Sequence, residues 1–166
     1  EYAELPGALR ANVEAWRARN GGLPVEYYSD AGVHALFAEA AAHPAFADVP
    51  VARAYNALKR SGAGTGIADL FRVVRIFLRG GTWFDADLPA IALSACAEHS
   101  PAATLRLYAY DPENRPRYTL IGGLPGSPPA MRTIQTVVRN VLVGKSPSIL
   151  EMTGPINLHR ALCQSS

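Results

Sequence analysis

Residues 67–87, IADLFRVVRIFLRGGTWFDAD, decide how this chain folds. Ile67, Leu70, Phe71, Val74, Phe77 and Leu78 share one broad helical face, and Val73 and Ile76 extend it nearly all round. A helix this apolar on every side must be largely buried. Asp69 and Arg72 interrupt it three residues apart, so they are neighbours on one side. Gly80-Gly81 stops the helix, because glycine accepts the left-handed backbone of a C-cap. Thr82-Trp83-Phe84 predicts a strand that delivers Asp85 and Asp87 to its carboxyl end, the edge where ligands bind in open α/β sheets. Two carboxylates one residue apart can hold a divalent cation together with a diphosphate. Oxygen-only ligands suit Mg²⁺ or Mn²⁺, which share their coordination sphere with substrate phosphates.

Upstream, Leu5, Leu9, Val13 and Trp16 have helical spacing, and Asn20-Gly21-Gly22 ends a helix predicted over Leu5 to Arg19. Leu23 to Tyr28 has the β-branched and aromatic character of a strand. Ser29-Asp30 offers an N-cap for a helix from about Ala31 to Ala42. A second helix is expected from about Val51 to Lys59. Ser61 to Gly66, SGAGTG, is a loop of small residues with no following GKS or GKT, which excludes a Walker motif. Downstream, Ile91 to Ala95, Thr104 to Tyr110, Arg117 to Ile121 and Ser148 to Met152 predict strands, with a turn at Asp111-Pro112-Glu113-Asn114. Ser127-Pro128-Pro129 opens a helix that runs to about Val143 and closes at Gly144; Ile156 to Leu162 is the last. Alternating strands and helices predict an α/β fold with a mostly parallel sheet.

At 166 residues and 49% hydrophobic content, the chain has the size of one domain, 1–166, with a sizeable core. A charged fraction of 18%, against about 25% in ordinary domains, argues against disorder. The net charge of +2, without a basic run, argues against nucleic-acid binding. No apolar run approaches the roughly 20 residues of a membrane span. Cys96 and Cys163 form no CxxC pair and are expected to be incidental or buried thiols. His34, His43, His99 and His159 share no metal-ligand spacing. Arg75 and Arg79 are expected on a solvated edge, and Trp16 in core packing.

The composite of Asp69, Arg72, Gly80-Gly81, Trp83 and Asp85-Ala86-Asp87 resembles the signature of glycosyltransferases with a DXD sugar-binding region. That family includes the yeast-type α-1,6-mannosyltransferases and bacterial capsular-polysaccharide transferases, and the large clostridial glucosylating toxins are more distantly similar. The resemblance implies a GT-A-like three-layer sandwich around a mostly parallel central sheet. It also implies that a first strand, which in the family helps to hold the nucleotide base, precedes Glu1, so truncation at both ends is expected. It implies a UDP- or GDP-hexose donor, a glycan or other hydroxyl acceptor, Mn²⁺ or Mg²⁺, and retention at the anomeric carbon. By position, Asp87 would bind the metal directly and Asp85 through water, with Asp85 also reaching the ribose or sugar hydroxyls. Asp69 and Arg72 would contact donor sugar and phosphates, and Trp83, where the family usually carries tyrosine, would line the donor pocket. The expected catalytic set is Asp85, Asp87 and Arg72. Thr153-Gly154-Pro155 matches a family turn, either structural or part of the acceptor wall. A bacterial cytoplasmic setting is favoured over a Golgi lumen reached through a removed anchor.

Two other functions fit parts of the pattern. A non-catalytic sugar-nucleotide-binding or assembly module would share the site without turnover. An aspartyl-phosphate phosphohydrolase also uses Asp-x-Asp after a strand, with the first Asp as nucleophile. The short Thr82-Trp83-Phe84 strand and Pro89 disfavour it.

Overall fold

A computed structural model describes residues 5–92, 105–110, 116–144 and 148–163. Helices α1 (Gly7–Arg19), α2 (Asp30–Ala42), α3 (Val51–Arg60) and α4 (Gly64–Arg79) come first, with a 3-10 turn at Pro44–Phe46 after α2. Strands β1 (Gly81–Phe84), β2 (Leu105–Tyr110) and β3 (Pro116–Gly123) follow, and then helices α5 (Pro128–Val143), α6 (Ile149–Thr153) and α7 (Ile156–Cys163).

Helix α4 is the axis of the core. It packs against α2, α3, α5, α6, β1 and β3, and it buries Leu70, Phe71, Val73, Val74, Ile76 and Phe77. Burying such a side chain contributes about 1.5–3 kcal/mol. That outweighs the few tenths of a kcal/mol per residue by which valine and isoleucine disfavour a helix. Phe37 of α2 stacks on Tyr55 of α3, with ring centroids 4.4 Å apart. Phe71 meets Tyr28 and Trp83 edge-on at 5.0 and 5.6 Å. From the other side, Ile121, Ala130 and Ile134 are fully buried against this layer.

Helix boundaries follow local chemistry. The Ser29 hydroxyl caps α2 by accepting from the Gly32 amide at 3.3 Å. Ser127 caps α5 by accepting from Ala130, and Gly144 closes that helix with a left-handed φ of 60°. Helix α4 starts earlier than the small-residue loop suggested, at Gly64. Gly66 lies in its first turn, where a Cβ would stand 3.0 Å from Leu58 Cδ2, 3.2 Å from Ile149 Cγ2 and 3.3 Å from Thr153 Cγ2. Its small size is used for close packing of α3 and α6.

The sheet corrects the expectation of a mostly parallel one. Its described strands lie in the order β1-β3-β2, and both pairings are antiparallel. The reason is that two segments read as strands are not strands. Leu23 to Tyr28 has no ladder partner among the described residues and runs as irregular chain, tied through Glu26 and Tyr28 to Arg75 of α4. Of Ser148 to Met152, Ile149 onward falls in α6 instead, with Ser148 at its N-cap. Leu150, Glu151 and Met152 are good helix formers, and the Gly154 amide closes the turn on the Leu150 carbonyl at 2.9 Å. A Cβ on Gly154 would overlap that carbonyl. Of the strand expected at Ile91 to Ala95, only Ile91 and Ala92 are described, and they belong to no strand. The Asp111–Asn114 turn, Cys96, His99 and the side chain of Cys163 lie outside the described residues. Among the described residues, no helix is long and apolar enough to cross a membrane.

Candidate functional site

The spacing of the motif has a geometric cause. From Arg72 to Gly80, α4 advances about 12 Å at 1.5 Å per residue. The chain then reverses, and from Gly81 to Asp85 it returns about 13 Å at roughly 3.3 Å per residue. Asp85 therefore arrives back beside Arg72. Gly80 makes the reversal with φ 66° and ψ −160°, a region essentially closed to residues with a side chain. A Cβ there would also stand 2.7 Å from Pro125 Cδ and 3.1 Å from the Gly123 carbonyl oxygen.

Arg72 is the hub of what this reversal assembles. Its side chain is only 8% exposed, with Nη2 3.6 Å from Asp69 Oδ1 and Nη1 3.3 Å from Asp85 Oδ1. Nε donates to the Ala68 carbonyl at 3.1 Å, and the guanidinium lies 5.5 Å from the Trp83 ring centroid. Trp83 Nε1 donates to Asp85 Oδ1 at 2.9 Å. The indole thus supplies a hydrogen-bond donor to Asp85. Four of the five residues singled out in the sequence meet in one ion-paired group spanning α4 and β1.

Asp69 is buried and held by two partners. Burial pushes its carboxyl up from 3.8 to about 6, against the pull of Arg72 and of the Thr153 hydrogen bond; the nearby Asp85 charge raises it further. Thr153 Oγ1 lies 3.0 Å from Asp69 Oδ2 and 2.9 Å from the Ile149 carbonyl. Thr153 is wholly buried. It therefore belongs to the ion network of α4, a connection that the turn-like Thr153-Gly154-Pro155 pattern did not signal. Asn157 secures the same corner, donating to the carbonyls of Glu151, Met152 and Gly154.

Asp85 and Asp87 differ in environment. Asp85 is 28% exposed and commits Oδ1 to Arg72 and Trp83. Asp87 is exposed and makes no hydrogen bond or ion pair with any described residue. It sits in a tight turn closed by the Leu88 amide, which donates to the Asp85 carbonyl at 2.9 Å. Three carboxylates against one guanidinium leave an excess of negative charge, so a diphosphate would be repelled without a cation to accompany it. Among the described residues, no three His, Cys, Asp or Glu side chains gather into a metal-binding group. The donor set fits a hard cation that takes its remaining ligands from water and phosphate, as Mg²⁺ and Mn²⁺ do.

Arg79 lies on a solvated edge as expected, whereas Arg75 is more engaged. Arg75 donates to Tyr28 Oη at 2.6 Å, to Glu26 at 2.8 Å and to the Gly80 carbonyl at 2.9 Å, while Arg79 reaches Glu39 at 2.6 Å. Hydrogen bonds from Tyr28 and Arg75 hold the Glu26 carboxyl below its usual value.

No protein-family model and no curated protein matches the chain. Its structure is similar to that of PaToxG Glycosyltransferase, with a TM-score of 0.68 and 15% sequence identity over 97% of this chain. The chain spans 65% of the length of that protein chain. At this identity the likeness speaks to architecture: the chain shares the fold of a glycosyltransferase.

Proposed function

We propose that this chain is a metal-dependent glycosyltransferase that moves a hexose from a nucleotide-diphospho-sugar to an acceptor hydroxyl with retention of configuration. The observation that carries the reading is the Asp69–Arg72–Asp85 group beside an unengaged Asp87, on a glycosyltransferase fold. Asp87 would hold Mn²⁺ or Mg²⁺ directly and Asp85 through water, leaving positions for the donor diphosphate. When bound, the cation supplies positive charge against the leaving group. Arg72, already fixed by two carboxylates and a backbone carbonyl, would act on the same phosphates without reorganising. Trp83 and Asp69 would border the sugar.

In the reaction the bond from the anomeric carbon to the diphosphate oxygen breaks. The acceptor oxygen forms the new bond from the same face, and its proton passes to the departing phosphate oxygen. No separate base is needed. Asp85, held by Arg72 and Trp83, suits this orienting role better than that of a free phosphohydrolase nucleophile.

Thermal unfolding with Mn²⁺, with UDP or GDP, and with both tests the proposal. A bound ligand stabilises by RT ln(1 + [L]/Kd), about 2.7 kcal/mol at a hundredfold excess over Kd. The pair together should stabilise more than either alone, and nucleotide-sugars should be hydrolysed slowly without acceptor. No stabilisation by any combination would defeat the donor-site reading; stabilisation without turnover would leave a binding module.

A further inference from the structure

Helix α1 holds the Asp-x-Asp turn through a row of side chains that the reaction above does not use. Asn12, Trp16 and Asn20 stand four residues apart, and so form one stripe of the helix. Asn12 Nδ2 donates to the Ala86 carbonyl at 2.7 Å and to the Leu88 carbonyl at 2.6 Å. Trp16 Nε1 donates to the same Leu88 carbonyl at 2.8 Å, and Asn20 Nδ2 to the Ile91 carbonyl at 3.0 Å. The Trp16 ring stacks on Phe84, the residue before Asp85, with centroids 4.3 Å apart and planes 15° from parallel. Val13 and Trp16 are buried, yet they stand apart from the contiguous core around α4.

The consequence falls on Asp87. A residue's backbone has two soft dihedrals, one toward each flanking peptide plane. The plane before Asp87 is fixed where Asn12 takes the Ala86 carbonyl. The plane after it is fixed where the Leu88 amide donates to the Asp85 carbonyl. With both planes held, the direction in which the Asp87 side chain leaves the backbone is set, although its carboxylate makes no hydrogen bond or ion pair with a described residue. Asn12 gives its other amide proton to the Leu88 carbonyl, which the Trp16 indole also holds, so the far end of the turn is anchored to α1 as well.

We infer that Asn12, supported by the Trp16–Phe84 stack, is a positioning residue that aims Asp87 at the cation. The inference rests on the reading of Asp87 as a metal ligand. Removing groups that orient a metal ligand typically weakens metal affinity by about 10- to 100-fold. Asn12→Ala should therefore raise the Mn²⁺ half-saturation, measured by the loss of free-ion paramagnetic resonance in the presence of UDP or GDP, by about tenfold. Asn12→Asp, which keeps the shape but offers carbonyl oxygens no proton, should do at least as much. Asn20→Ala, on the same stripe but directed at Ile91, should stay within about twofold of wild type and serves as the control for α1 docking. Hydrogen exchange read by peptide should quicken across 85–88 in Asn12→Ala while α4 and α5 keep their protection.

A Mn²⁺ half-saturation that Asn12→Ala leaves unchanged overturns the inference while the metal site stands. Equal weakening by Asn12→Ala and Asn20→Ala, with faster exchange throughout, overturns it in favour of general docking of α1. A wild-type chain that takes up no Mn²⁺ with either nucleotide overturns the metal reading itself, and this inference with it.

Discussion

Thr153 Oγ1 stands 3.0 Å from Asp69 Oδ2 across 84 residues of chain. This contact joins α6 to the functional side of α4, and Gly66, one turn before Asp69, gives α6 the room to approach. The single hydroxyl proton of Thr153 is shared between Asp69 and the Ile149 carbonyl. The strength of the contact therefore depends on the charge of the acid it faces.

That dependence makes Asp69 a pH-sensitive part of the fold. Burial pushes its carboxyl up from an ordinary 3.8 to about 6 in the folded chain. The folded state thus binds this proton more tightly, so the stability it contributes is full below the unfolded value and is lost as pH rises through about 6. At about 1.4 kcal/mol per unit, the loss is on the order of 3 kcal/mol. Asp69→Asn cannot titrate. The wild-type minus Asp69→Asn difference in unfolding free energy should slope through this window and level off above it. Thr153→Val removes a donor to the carboxylate and should move the window to higher pH. Denaturant titrations at stepped pH check both, and parallel wild-type and Asp69→Asn curves would refute the assignment.

Gly80 and Gly81 should respond differently to alanine. Both have positive φ, 66° and 90°, but only at Gly80 would a Cβ collide with Pro125 and the Gly123 carbonyl; at Gly81 it meets open space. Backbone strain costs on the order of 1–3 kcal/mol at either position. Gly80→Ala should lose clearly more, and it should disturb the return of Asp85 to Arg72. Equal losses in thermal unfolding would show that the packing around Gly80 gives way.

Trp83→Phe keeps a ring beside Arg72 and Phe71 but deletes the N–H that reaches Asp85. We expect a loss of about 1 kcal/mol in stability and weaker stabilisation by Mn²⁺ with nucleotide. Trp83→Tyr restores a polar hydrogen and should keep near-normal donor turnover. Calorimetry of nucleotide binding to both variants separates the ring from its donor; identical affinities would mean the N–H has no part in the site.

Asp87→Asn should abolish sugar transfer and donor hydrolysis while leaving unfolding within about 0.5 kcal/mol of wild type, as for an exposed side chain without partners. A neutral amide competes poorly with water for Mg²⁺. Asp85→Asn should lose activity too and, because Asp85 is paired with Arg72 and Trp83, should also lose stability. Circular dichroism with nucleotide-sugar turnover in Mn²⁺ is the measurement. Near-normal turnover of Asp87→Asn beside an active wild type would rule out the metal assignment.

Much of the architecture was legible because its causes are local. The apolar run from Ile67 to Leu78 could only be a buried helix, and Ser29, Ser127 and Gly144 mark helix ends through hydrogen bonds and φ values within a few residues of themselves. The Asp69–Arg72 pair follows from helical periodicity, and the meeting of Arg72 with Asp85 follows from helix rise, strand rise and a glycine reversal between them. The i, i+4, i+8 stripe of Asn12, Trp16 and Asn20 was also written in the sequence, but nothing local says what a row of donors will face.

The sequence by itself determined the helices other than 149–153, the reversal at Gly80-Gly81 and the residues that carry charge at the site, since each depends on neighbours along the chain. The tertiary structure alone decided that the described strands pair antiparallel, that 23–28 runs without a ladder among the described residues and 149–153 as a helix, and that Thr153 meets Asp69 while Asn12 meets the turn around Asp87. Strand pairing and long-range hydrogen bonds need a partner distant in the chain, and short segments with weak intrinsic preference take whichever conformation that partner stabilises.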